Sequence, residues 1–347
     1  MSQKKRLMIS LPWIGGIAAI AIALFWSLGL VGRGVWKLTR SAPNRTVQTK
    51  QTSLRSFELV RDVPSGLFSY GGSPTWAPIR LAIDSSIQAK RPEFRLRYVQ
   101  PIHEPPSTRA AIKMLLDDRL AFVQSSEPLH PEDRELATQN GFQLEQIPVA
   151  IDSIVVVVHP DLYISGLTLE QLRSIYTGQI TNWREVGGPD LEIIPYSRPA
   201  SAGDKAEFFV REVLEGQPFG YRVEFSPTST EALRKLENEP GGIYYDSAAL
   251  VLSQCQVKPL ALGRFPDESI APYRDSLVAP AECPNRRNQP NLEAFQTGKY
   301  PLTLDMYVVI KQNGRSEERA GKAYANFLLT EQGQELIERA GFVRIRG

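Results

Sequence analysis

Three stretches of this chain put hydroxyl, guanidinium and glycine positions just ahead of a helical pattern, an arrangement able to hold an oxyanion. The first is FSYGGSPTWAPI, residues 68–79, where Gly71 and Gly72 let the backbone approach a ligand and Thr75 offers a hydroxyl before the helix opens. The second is Pro106-Ser107-Thr108, and the third is RPASAGDKAEF, residues 198–208, with Arg198 leading into a helix start. A desolvated oxyanion needs several short hydrogen bonds from groups already in place. Backbone N–H groups at a helix N-terminus supply them without ordering a side chain, and a guanidinium donates to two oxygens at once. Taken singly, each stretch fits an ordinary capped turn or a surface arginine equally well. Asp204 adds a carboxylate that repels a dianion and becomes favourable only where the ligand carries a proton to share. A solvent-facing aspartate at a helix N-terminus is the plain alternative.

The elements that must position these residues follow an α/β pattern from residue 67 onward. Short apolar runs at 94–99, 154–158, 193–196 and 306–310 predict buried strands, and helical patterns fall at 108–117, 169–176, 205–214, 230–237 and 319–340. Thr168 and either Ser229 or Thr230 are the expected N-caps. Alternation of the two predicts α/β layers on mostly parallel sheets.

With 347 residues, 42% hydrophobic and 22% charged, the chain is long enough for about two domains. A net charge of +2, from 40 basic and 38 acidic residues, gives no field to attract nucleic acid, so an anion must be held by local geometry. Three histidines and two cysteines leave little material for a metal centre, and no cofactor is expected. Cys255 and Cys283 read either as a disulfide closing a surface loop or as two unrelated core residues.

Lys4, Lys5 and Arg6 precede an uncharged run from Leu11 to Val31, enough to cross about 30 Å of hydrocarbon as a helix. The run is longer than a signal-peptide core and continues through Phe25, Trp26 and Leu28 without a small-residue cleavage site, so an uncleaved membrane anchor over 1–32 is expected. Residues 33–63, rich in Lys, Arg, Thr, Gln and Ser, predict a stalk. Basic residues on both flanks leave orientation open from charge alone.

The segments VAIDSIVVVVHP, LTLEQLRSIYTGQITNWREVGG, IIPYSRPASAGDKAEFF, YPLTLDMYVVIK and AGKAYANFLLTEQGQELIERAGFV together resemble the phosphate-binding proteins of ABC phosphate importers. These are type II periplasmic binding proteins, and the likeness covers residues 64–347. The resemblance implies an α/β, two-lobed fold, here with an N-terminal transmembrane helix. Residues 64–155 and 250–347 would form lobe 1 and 156–249 lobe 2, with crossings near 155–159 and 245–251. It also implies ligand contacts at Thr75, Trp76, Ser107, Ser126, Arg198, Ala202, Gly203 and Asp204. Ala202 and Asp204 stand where the family has hydroxyl residues, and Ser126, in SSEPL, stands where it has a proton-accepting aspartate. Asp204 is the expected replacement for that acceptor.

The function implied is a binding module outside the cytoplasmic membrane, tethered by its helix. It would capture inorganic phosphate or a related oxyanion and deliver it to ABC transporter permease subunits or a membrane sensor. A membrane-anchored sensor or scaffold with a lost or changed ligand is the alternative. A phosphatase is disfavoured, because no nucleophile elbow, metal cluster or His-rich loop is present in the sequence.

Overall fold

The computed structural model of the chain describes residues 54–199 and 204–345. The expected anchor over 1–32 and the stalk up to residue 53 lie outside the described residues; among the described residues no helix is long and apolar enough to cross a membrane. The last ten residues assigned to the stalk do not behave as one. Phe57 and Val60 are buried, Phe57 packs edge-on against Phe327 at 5.6 Å, and Glu331 donates its backbone N–H to Leu54 O at 2.9 Å. Three apolar residues at a spacing of three, Leu54, Phe57 and Val60, are what the polar composition of the stretch concealed.

In chain order the described strands are β1 (Gly66–Gly72), β2 (Phe94–Tyr98), β3 (Phe122–Ser125), β4 (Gln143–Val158), β5 (Gly166–Thr168), β6 (Ile194–Ser197), β7 (Glu224–Phe225), β8 (Gly242–Ser247), β9 (Lys258–Pro259), β10 (Ala261–Gly263), β11 (Thr303–Gln312) and β12 (Val343–Arg344). The α-helices are α1 (Ala77–Lys90), α2 (Thr108–Leu116), α3 (Pro131–Gln139), α4 (Leu169–Tyr176), α5 (Asp204–Glu212), α6 (Ser229–Asn238), α7 (Ala248–Val251), α8 (Leu292–Gln296), α9 (Ser316–Leu328) and α10 (Glu331–Arg339).

One lobe is built on β2-β1-β3, which run parallel, followed by β11 and β4, each antiparallel to its neighbour. Its core has two halves, one holding Ile79 and Ile83 of α1, Tyr324 and Phe327 of α9 and Ile337 of α10, the other Ile112 and Leu115 of α2 with Ala137 of α3. The other lobe is built on parallel β8-β6-β7 with β4 antiparallel to β8, its core drawing Leu172 from α4, Phe209 from α5 and Leu236 from α6. The sheets are thus mixed where mostly parallel ones were expected, because the two long strands β4 and β11 run against their neighbours.

β4 serves both lobes. Val149 and Ala150 belong to the first core and Val155, Val156, Val157 and Val158, all fully buried, to the second. A continuous β-branched run covered on both faces is what a central strand requires. Val257, Leu260, Leu262, Phe295, Tyr300 and Leu302 all pack in the second core, and the chain re-enters the first at Met306. Pairing of β9 with β4 and of β10 with β5 docks this stretch on the second lobe, and Cys255 and Cys283 form a disulfide with Cα atoms 5.7 Å apart.

Two local expectations are also corrected. The helix expected over 319–340 divides at Thr330, whose hydroxyl accepts from Gly333 N at 2.9 Å and caps α10. A Cβ on Gly333 would lie 2.2 Å from Phe327 O, so only glycine allows the second helix to fold back this tightly. The cap of α6 is Thr228, accepting from Glu231 N at 3.1 Å, in place of Ser229 or Thr230. Thr168 caps α4 as expected, in a box with Gln171.

Candidate functional site

In the first lobe, the loops leaving the carboxyl ends of β1 and β3 meet the start of α2. Ser73, fully buried, organises them: its backbone N–H donates to Gln124 O at 2.9 Å, and its hydroxyl oxygen accepts from Thr75 N at 3.2 Å and from Ser126 Oγ at 3.0 Å. Ser126 N donates to Thr108 Oγ1 at 3.2 Å. Ser107 caps α2, its hydroxyl accepting from Ala110 N at 3.1 Å and keeping its own proton to donate. Four of the predicted residues, Thr75, Trp76, Ser107 and Ser126, are thereby brought to one set of loops. Ser73 was not predicted; its place directly before a Pro-Thr helix start was the available signal.

Trp76 is in the set but turned inward. Its ring is fully buried, its indole N–H donates to Ser125 O at 3.1 Å and its backbone N–H to Ser73 O at 3.1 Å. Its role in this arrangement is to fix the β1 loop to the β3 loop.

In the second lobe, β6 delivers Ser197 and Arg198 to its carboxyl end. Ser197 Oγ lies 2.7 Å from Tyr245 Oη, and Ser226, at the end of β7, donates its backbone N–H to Ser197 O at 2.8 Å. Arg198 donates through Nη2 to Pro227 O at 3.3 Å, while its Nε is buried and has no hydrogen-bond partner among the described residues. α5 starts at Asp204, but Ala202 and Gly203 lie outside the described residues, as does the Asp204 side chain.

Where the lobes join, two buried carboxylates meet one cation. Lys205, in the first turn of α5, pairs with Asp246 at the end of β8. Burial works to raise the Asp246 carboxyl, yet Lys205 and hydrogen bonds from Ser229 and Tyr244 hold it below its ordinary value. Asp152, on β4, is pushed up to about 6 by burial, with Asp246 adding to the shift while Ser247 and Lys205 oppose it. Across the lobes, Arg211 Nη1 of α5 lies 3.8 Å from Glu127 Oε2, in the loop that carries Ser126; the same carboxylate is 3.5 Å from His130 Nε2.

The geometry therefore presents hydroxyl, guanidinium and helix-start donors at the carboxyl ends of parallel strands in two lobes, the crevice where open α/β sheets place their ligands. Two α/β lobes sharing a long strand, each contributing such an edge, are the architecture of the periplasmic binding proteins. The chain belongs to the family described as PBP superfamily domain, whose model matches residues 45–332. It is 24% identical over 290 residues to the phosphate-binding protein PstS of Borreliella burgdorferi, covering 81% of this chain and 90% of that one. Among solved structures it is similar to an ABC-type phosphate transport receptor from Vibrio cholerae, with a TM-score of 0.62 and 19% identity over 80% of this chain and 99% of that one. The periplasmic phosphate-binding protein PfluDING, bound with phosphate, is similar at a TM-score of 0.54 and 12% identity, covering 80% and 90% respectively.

Proposed function

We propose that this chain is an extracytoplasmic solute-binding protein that captures inorganic phosphate, or a related oxyanion, between its lobes and delivers it to an ABC importer. The observation that carries this is Arg198. It stands at a strand end in the second lobe with a buried Nε lacking a partner among the described residues, beside a helix start, in a chain whose other lobe presents the Thr75, Ser107 and Ser126 loops. A buried donor without a partner costs about 1–3 kcal/mol, a cost that a bound anion removes.

Thr75, Trp76, Ser107 and Ser126 form the first-lobe half of the site, and Arg198, Ala202, Gly203 and Asp204 the second. Arg198 supplies charge, the α5 start supplies N–H groups, and Trp76 holds its loop in place. The lobes are best divided at residues 151–153 of β4 and at 303–305 of β11, so that 250–302 moves with the second. No covalent step is assigned to the chain. The run from Leu11 to Val31 tethers the body to the outer side of the cytoplasmic membrane, where permease subunits receive the anion.

Millimolar phosphate is expected to raise the melting temperature of the full chain by several degrees, as ligands that bind only the folded state do. Arg198→Ala should abolish the rise. An equal shift in the variant would remove Arg198 from the site.

A further inference from the structure

We infer that Arg80 is a positioning residue for the bound anion: from behind the β1 loop its guanidinium holds Ser73, and through Ser73 the Thr75 and Ser126 donors, in the arrangement that receives the ligand. This rests on the phosphate-capture reading and adds a residue that acts through the loop. Ser73 is the point of leverage, since its hydroxyl oxygen accepts from both Thr75 N and Ser126 Oγ. Whatever fixes Ser73 fixes both.

Helix spacing sets the place of Arg80. α1 turns Ile79, Ile83 and Ile87, all fully buried, into the first core, and Arg80 follows the first of them, half-buried, one turn beyond Trp76. Its Nη1 donates to Ser73 O at 3.3 Å and to Gln124 Oε1 at 2.9 Å. The guanidinium carbon lies 4.0 Å from the centroid of the Tyr98 ring, a stacked contact that fixes the plane of the fork. Tyr98 in turn donates its hydroxyl to Gly72 O at 3.1 Å, so the residue before Ser73 is tied to the same support.

Gln124 of β3 closes the frame. It is fully buried, its backbone oxygen accepts from Ser73 N at 2.9 Å, and its side chain accepts from Arg80 while donating through Nε2 to Tyr324 Oη at 2.7 Å. Tyr324 donates to Asp84 Oδ1 at 2.9 Å, and Tyr70 donates to the other oxygen of Asp84. The carboxylate one turn further along α1 is therefore engaged by two tyrosines, while both hydrogen bonds of Arg80 go to the loop and to the side chain that supports it. A network this completely partnered rigidifies what it holds. Donors already ordered before the anion arrives do not have to be ordered by it, which strengthens binding without a direct contact.

The test is inorganic phosphate binding, by calorimetry and stopped flow, to the full chain and three variants of it. Arg80→Met keeps an unbranched stem and removes the donors, whereas Arg80→Lys keeps a cation able to donate to both oxygens. Phe57→Leu is the control for stability alone, since Phe57 packs on Phe327 in the same core. Arg80→Met should weaken phosphate binding about 10-fold, most of it as faster release, and Arg80→Lys should recover it to within about 3-fold of the unsubstituted chain. Phe57→Leu should lower the melting temperature and leave phosphate affinity unchanged. A loss in Arg80→Met no larger than in Phe57→Leu overturns the inference, as does a failure of lysine to recover binding. Should Arg80→Met not fold, Arg80→Gln takes its place in the same comparison. No heat from the unsubstituted chain would overturn the capture reading and this inference with it, whereas phosphate binding that survives Arg80→Met intact overturns this inference alone.

Discussion

A buried aspartate at a lobe junction is costly unless something makes use of it, and Asp152 carries that cost openly. Its carboxyl is raised from 3.8 to about 6, so the folded chain favours the protonated form more than the unfolded chain does. The stability gained from protonation is fully present below the unfolded value and is lost as pH rises through about 6. Relative to Asp152→Asn, which does not titrate, the wild-type chain should gain about 2 kcal/mol between pH 7 and pH 4, measured by urea unfolding at both pH values. A difference independent of pH would place Asp152 in a more polar setting than its burial indicates. Arg198, Thr75 and Ser107 were legible as candidate donors because their types and their place before helix starts carry the chemistry. Ser73 was not, since its role depends on a hydrogen bond to Ser126, a residue 53 positions away.

At the level of elements, periodicity located β2, β6, α2, α4, α5 and α6, because apolar spacing reports burial directly, but it did not mark β1, β3 or β8, whose carboxyl ends carry much of the site. It failed where tertiary contact decides. α9 and α10 share one amphipathic pattern, and only the cap at Thr330 and the close approach at Gly333 separate them. The stretch 250–302 has weak periodicity of its own and is attached to the second lobe by β9, β10 and the Cys255–Cys283 bridge. That bridge spans 28 residues, for which chain-entropy arguments give about 3–4 kcal/mol. Replacing both cysteines by serine should lower stability by up to that amount in denaturant titrations and raise amide exchange first between residues 255 and 290. Uniform loss of protection over both lobes would show the segment to be more than an attachment.

Across the whole molecule, the two lobes meet at β4 and β11 and again at Glu127 and Arg211, on the loop of Ser126 and on the helix that begins at Asp204. A half-exposed arginine pair contributes at most about 1 kcal/mol. If it holds the lobes together around the ligand, Arg211→Ala should speed phosphate release about 5-fold in stopped-flow measurements while leaving the association rate nearly unchanged. An effect confined to association would show Arg211 steering the anion by charge.

The two-lobed architecture was legible from family resemblance. What the architecture is for is decided most directly by calorimetric titration of the full chain with inorganic phosphate, with sulfate alongside. The account predicts saturable heat at one phosphate per chain, with sulfate weaker and Arg198→Ala silent. Absence of heat with both anions would contradict it and leave a two-lobed scaffold whose polar crevice serves another ligand.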